Sequence, residues 1–181
     1  MFFQNYFNIV NKSISAIEIR DLESVAEKIL KISSLGGKLI IVGNGGSANI
    51  AGHMAVDFTN AAKIEAVSFN DPGLITCFSN DYGYENWVTR AMKSYAKEND
   101  LLITISSSGN SKNLVNASLL AKEMGLYNIT FTGFDKNNRI RSIGDKNFWV
   151  DSNLYNVVEM THHVWLVSIV DFLIEERKKR N

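Results

Sequence analysis

Apolar residues recur at helical spacing from the start of the chain. Phe3, Phe7, Val10, Ile14 and Ile17 form one run, and Leu22, Val25, Ile29 and Ile32 form a second. The spacing predicts two helices, with Asp21 placed to cap the second and Gly36-Gly37 to end it. The period then changes. KLIIV (38–42) is short, β-branched and continuous, as a strand buried on both faces should be. IEAVSF (64–69), DLLITI (100–105), YNITFT (127–132) and NFWV (147–150) repeat that signal, with helical stretches near 83–97 and 111–124 between them. Such alternation predicts an α/β fold: a three-layer α/β/α sandwich on a mainly parallel five-stranded sheet, preceded by two N-terminal helices.

The last predicted helix, about 154–178, is apolar nearly all the way round, from Leu154, Val157 and Val158 to Phe172, Leu173 and Ile174. A helix of that kind is buried on more than one side. It either lies deep in one core or gives part of its surface to another subunit. In a domain this small the second reading predicts a homo-oligomer, and the aromatic first helix is a further contact of the same sort. Arg177, Lys178, Lys179 and Arg180 read as a solvated end that complements the helix dipole. Trp87, Trp149 and Trp165 read as core or interface residues.

Composition narrows the partners. The chain has 181 residues, a length that fits one domain, divided here into a helical oligomerisation segment (1–35), an α/β core (36–153) and an interface helix (154–178). Nineteen basic side chains balance 19 acidic ones, so nucleic acid is not an expected partner. Cys77 is the sole cysteine, which excludes an internal disulfide and fits a reducing, cytoplasmic setting. The first residues lack a basic leader and a cleavage site, and no window is read as approaching the roughly 20 apolar residues of a membrane helix.

Two loops carry the chemistry. Gly43-Asn44-Gly45-Gly46-Ser47 follows the first strand, and the next helix opens within or just beyond it. Backbone N–H groups there converge on an anion, with the helix dipole adding positive potential. Ser106-Ser107-Ser108-Gly109-Asn110-Ser111 follows the third strand and opens another helix, its hydroxyls offering donors to phosphate oxygens. Either loop alone also reads as a tight strand-to-helix turn; together they predict a grip on a phosphorylated metabolite, on the side of the sheet where ligands of open α/β folds bind. Gly43, Gly45 and Ala48 match a relaxed dinucleotide fingerprint. The acidic residue that it requires would be Glu65, at the start of the second strand rather than its end, so no nucleotide cofactor is expected.

With GNGGSANIAGH, SNDYGYE (79–85) and ISSSGNSKN (105–113) in view, the sequence resembles the sugar isomerase domain family, and within it the phosphoheptose isomerases, in order through nearly the whole chain. The resemblance implies a flavodoxin-like fold and a homotetramer with active sites at subunit interfaces. It implies conversion of sedoheptulose 7-phosphate to an aldoheptose phosphate for surface polysaccharide. By the same resemblance Asn44, Gly45, Gly46 and Ser47 line the sugar pocket, Ser106, Ser108 and Ser111 hold the phosphate, and Asp81 helps bind substrate. Without it, Asn80-Asp81 reads as a turn pair.

Aldose–ketose isomerisation needs a positioned base and a group that handles oxygen-bound protons. His53 and Asp57, four apart, share a helix face. The resemblance implies that these positions ligate zinc and that the carboxylate is the base, though the family has glutamate where this chain has Asp57. The family's last-helix histidine falls on Ser168 and a glutamine ligand on Met160, leaving Glu159, His162 and His163 as the nearby substitutes, with His163 the catalytic candidate. Zinc would then have two ligands here where catalytic sites usually take three from protein. A second reading follows from Ser168 and Met160: a non-catalytic sugar-phosphate-binding regulator resembling the family's DnaA-associating branch.

Overall fold

The computed structural model describes residues 1–180; Asn181 and the side chain of Arg180, one of the four terminal cations, lie outside the described part. Phe2–Ser15 (α1) and Ile19–Ser34 (α2) are the two leading helices. Because α2 begins at Ile19, its N-cap is Glu18, and Asp21 lies within the first turn rather than capping it. Asp21 still meets the positive end of the helix dipole, and it pairs with Lys146 at 2.5 Å. Both partners are partly exposed, so Asp21→Asn is expected to lower the unfolding free energy by less than about 1 kcal/mol in urea titrations.

Five strands make one sheet, all parallel: Leu39–Gly43 (β1), Ala66–Ser68 (β2), Leu101–Ser106 (β3), Tyr127–Thr132 (β4) and Lys146–Trp149 (β5). Their order, β2-β1-β3-β4-β5, is that of a flavodoxin-like sheet. The strands read as unbroken apolar runs because both faces are covered. Leu39 and Ile41 point into the core shared with α2, and Ile40 and Val42 into the core on the other face.

The remaining helices are Gly46–Asp57 (α3), Pro72–Tyr82 (α4), Trp87–Tyr95 (α5), Lys112–Glu123 (α6), Arg139–Ile143 (α7) and Tyr155–Arg180 (α8), with a π-helical turn, Phe58–Ala62, continuing α3. The helix expected near 83–97 is shorter, and α4 precedes it. Asp71 caps α4 by accepting from Leu74 N–H at 2.9 Å, and Pro72 stands at its first position. Asn80 and Asp81 are therefore in the last turn of a helix, not in a free turn. No α4 residue is buried, which is why its apolar pattern announced nothing.

Helix α8 buries one stripe, Val157, Val158, Thr161, His162, Trp165, Leu166, Ile169, Val170 and Leu173, and leaves Tyr155, Met160, Val164 and Phe172 exposed. Trp165 Nε1–H donates to Ile14 O at 2.9 Å, joining α8 to α1. Helix α1 has no buried residue, and Phe2, Phe3 and Phe7 are all exposed. By length and composition α8 qualifies to cross a bilayer, since a window of it has a mean hydropathy of 1.5, contrary to the sequence expectation. Half of that window is buried inside the fold, as befits a core helix. Trp87 and Trp165 are core residues, and Trp149 lies under the Arg141 guanidinium.

Candidate active site

Strands β1 and β3 are neighbours, so the loops at their C-terminal ends meet. Both loops open on one cavity of about 360 Å³, a size ordinary for a small-molecule site. Gly45, at φ +54°, turns the chain so that α3 starts at Gly46 with its N–H groups facing that space. Helix α6 starts at Lys112; its N-cap Ser111 makes no side-chain capping bond, so the hydroxyl is left to the cavity. Two helix N-termini thus point at one place.

The loops are tied together by amides. Asn44 Nδ2 donates to Asn113 Oδ1 at 3.0 Å, and Asn113 Nδ2 returns a bond to Asn44 Oδ1 at 2.9 Å. Tyr84 O–H donates to the same Asn44 oxygen at 3.1 Å. Within the serine loop, Gly109 N–H donates to Ser106 Oγ at 3.2 Å and Asn110 N–H to Ser108 Oγ at 3.3 Å. Ser107, buried and in the cavity wall, has a hydroxyl with no partner in the protein. A buried donor in that state is suited to an incoming oxyanion.

All the residues expected from the two loops therefore line the cavity: Asn44, Gly45, Gly46, Ser47, Ser106, Ser108 and Ser111. Sequence reasoning placed Ser107 in the phosphate loop without singling it out, missed Tyr155, and left open which candidate on the last helix faces the pocket. Glu159 does. A β-carbon on Gly46 would run into its carboxylate, and burial raises its pKa above the ordinary glutamate value. Tyr155, one turn earlier on α8, packs edge-on against Phe134, a bulky residue held at φ +54°.

The other candidates lie elsewhere. His162 is fully buried; its Nε2 is 3.0 Å from Thr132 O, its Nδ1 has no partner, and burial pushes its pKa down to about 4. His163 Nε2 is 2.7 Å from His53 Nδ1, and His53 Nε2 is 3.1 Å from Asp57 Oδ2. Burial, then the His53 ring, lowers the His163 pKa against the pull of Asp57. The structure brings these three together but outside the residues that line the cavity. Asp81 is also outside them, accepting from Asn80 Nδ2 at 2.9 Å. Glu65 precedes β2, at the end of the sheet away from the loops.

The donor set does not fit a catalytic zinc. Met160 is an exposed thioether, and Ser168 O–H donates to Trp165 O at 2.7 Å. Both nitrogens of His53 are engaged by Asp57 and His163. His53 stands between Asp57 and His163, and among the described residues no three His, Cys, Asp or Glu side chains are so arranged that they could hold a metal.

Comparison with known proteins places the chain in a narrow neighbourhood. The family model for the SIS domain matches residues 3–133. The phosphoheptose isomerase of Fusobacterium nucleatum is 34% identical over 175 residues, covering 93% of this chain and 90% of the relative. That of Thermodesulfovibrio yellowstonii is 36% identical, covering 85% and 81%. Among solved structures, the phosphoheptose isomerase GmhA of Neisseria gonorrhoeae superposes with a TM-score of 0.88 at 26% identity, over 95% of this chain and 94% of its own.

Proposed function

The chain belongs to the SIS domain family, and from that premise we propose that it is a phosphoheptose isomerase, converting sedoheptulose 7-phosphate to the corresponding aldoheptose 7-phosphate. One observation carries the reading: the GNGGS and serine loops line a single cavity, with one carboxylate, Glu159, in the same wall. The serine loop and the start of α6 take the phosphate, and the GNGGS loop takes the sugar. The regulatory reading is not favoured, because relatives matched over most of their length are named isomerases.

The exposed faces of α1 and α8 support a homo-oligomer, read here as a tetramer whose neighbours complete the site; Asp81, Asp57, His53 and His163 then border it from outside the cavity wall. A single cysteine supports a reducing, cytoplasmic setting, and the likeness to phosphoheptose isomerases supports a role in heptose supply for lipopolysaccharide or capsule. No step of the reaction is assigned to zinc, given the donor set. Purified protein incubated with sedoheptulose 7-phosphate should accumulate aldoheptose phosphate without added nucleotide. Absence of turnover, with and without zinc, would remove the proposal.

A further inference from the structure

Isomerisation needs a base that touches the carbons exchanging the proton. The residues of this chain that line the cavity include no imidazole and one carboxylate. That carboxylate belongs to Glu159, which stands against Gly46 at the start of α3. A phosphate at the serine loop leaves room for the carbon chain to run toward Gly45 and Gly46 in the same cavity, against which Glu159 stands.

The residue matched to the family's acid/base histidine is not available for this work. Ser168 sits in a crevice with Ile19, Leu22 and Ala26 of α2, and its hydroxyl is turned back onto its own helix. Asp57 is bonded to His53 beyond the cavity wall. Helix α8 runs beside α3, with Glu159 meeting the first residue of α3 and His163 meeting His53 two turns on. Only the earlier of these two contacts opens on the cavity.

We infer that Glu159 is the catalytic base that carries the proton between C1 and C2 of the sugar phosphate, an inference that rests on the isomerase reading above. Glu159 takes the proton from C1; the C1–H electron pair becomes the C1=C2 bond, and the C2=O pair closes on O2, which takes a proton. The enediol then collapses the other way. O1 gives up its proton as the C1=O bond forms, and Glu159 returns its proton to C2. One proton leaves O1 and one reaches O2, so no co-reactant is consumed; Ser47, beside Gly46 in the wall, offers a hydroxyl for that transfer. The raised pKa of Glu159 makes it a stronger base than an ordinary carboxylate.

The test compares wild type, Glu159→Gln and Asp57→Asn with sedoheptulose 7-phosphate in D2O, following turnover and deuterium entry at carbon. Glu159→Gln is expected to lose about 10²- to 10⁴-fold in kcat, with KM within about threefold and carbon exchange abolished. Asp57→Asn is expected to keep carbon exchange within about tenfold of wild type. Glu159→Asp, which keeps the carboxylate but draws it back, should fall between wild type and Glu159→Gln, and it serves as the folding control. If Glu159→Gln retains kcat, or loses only KM, or if Asp57→Asn is the variant that loses exchange, the inference falls while the isomerase reading stands. If wild type itself neither turns over nor exchanges, both fall.

Discussion

Gly109→Ala is expected to raise the KM for the sugar phosphate, and the Kd for inorganic phosphate, by about 10-fold or more, as the strain displaces the loop from its seat. Gly109 holds φ +62°, where a side chain costs about 1–2 kcal/mol. A β-carbon there would also strike the Asn138 amide. Asn138 cannot swing aside: it is buried, its Nδ2 donates to Asp135 O at 2.8 Å and Gly133 O at 3.3 Å, and its Oδ1 accepts from Arg141 N–H at 3.0 Å. The serine loop must therefore move instead, taking Ser106 and Ser108 with it. Steady-state kinetics and phosphate titration calorimetry check the result. A variant that folds and binds phosphate like wild type would show that this loop is not the phosphate seat.

Acid should unfold the protein through His162. Its pKa is about 4 in the fold and 6.5 when exposed, so the unfolded chain binds the proton more readily between those values. Stability is complete above the unfolded value, falls as pH drops from 6.5 toward 4, and changes no further through this group below 4. The loss over that window is about 3 kcal/mol, at 1.36 kcal/mol for each unit of displacement. Urea titrations from pH 8 to pH 4 measure it. His162→Gln should have a flatter profile than wild type across the window, whatever its absolute stability, because its amide does not titrate. Parallel profiles for the two proteins would contradict the assignment.

The strands were legible in the sequence because each is covered on both faces, and a run such as Leu39–Val42 has no polar position to blur it. The two loops were legible because glycine and serine at a strand end serve so few other purposes. Helix α4 was not: Leu74, Ile75 and Phe78 only lean on a core and none is buried, so no stripe marked it. The cap was misplaced by three residues, at Asp21 instead of Glu18, since capping depends on where the first helical turn closes. Glu159 was legible as one of three candidates, but that it is the one facing the pocket was not, for a different reason. Its place in the wall follows from how α8 is rotated against the start of α3, a tertiary relation that local spacing does not encode. Likewise, Tyr155 reaches the cavity with its ring against Phe134, whose left-handed backbone no propensity foretells.

Among the described residues, the wall that this chain gives to its cavity has no lysine or arginine; it offers anions backbone dipoles, hydroxyls and the Asn44 amide, beside one carboxylate. With a net charge of +0 over the whole chain, no net charge draws a phosphate in from a distance. The net charge then adds little to the encounter rate, and added electrolyte has correspondingly little of it to screen. At such a wall selectivity has to come from fit after contact rather than from attraction before it.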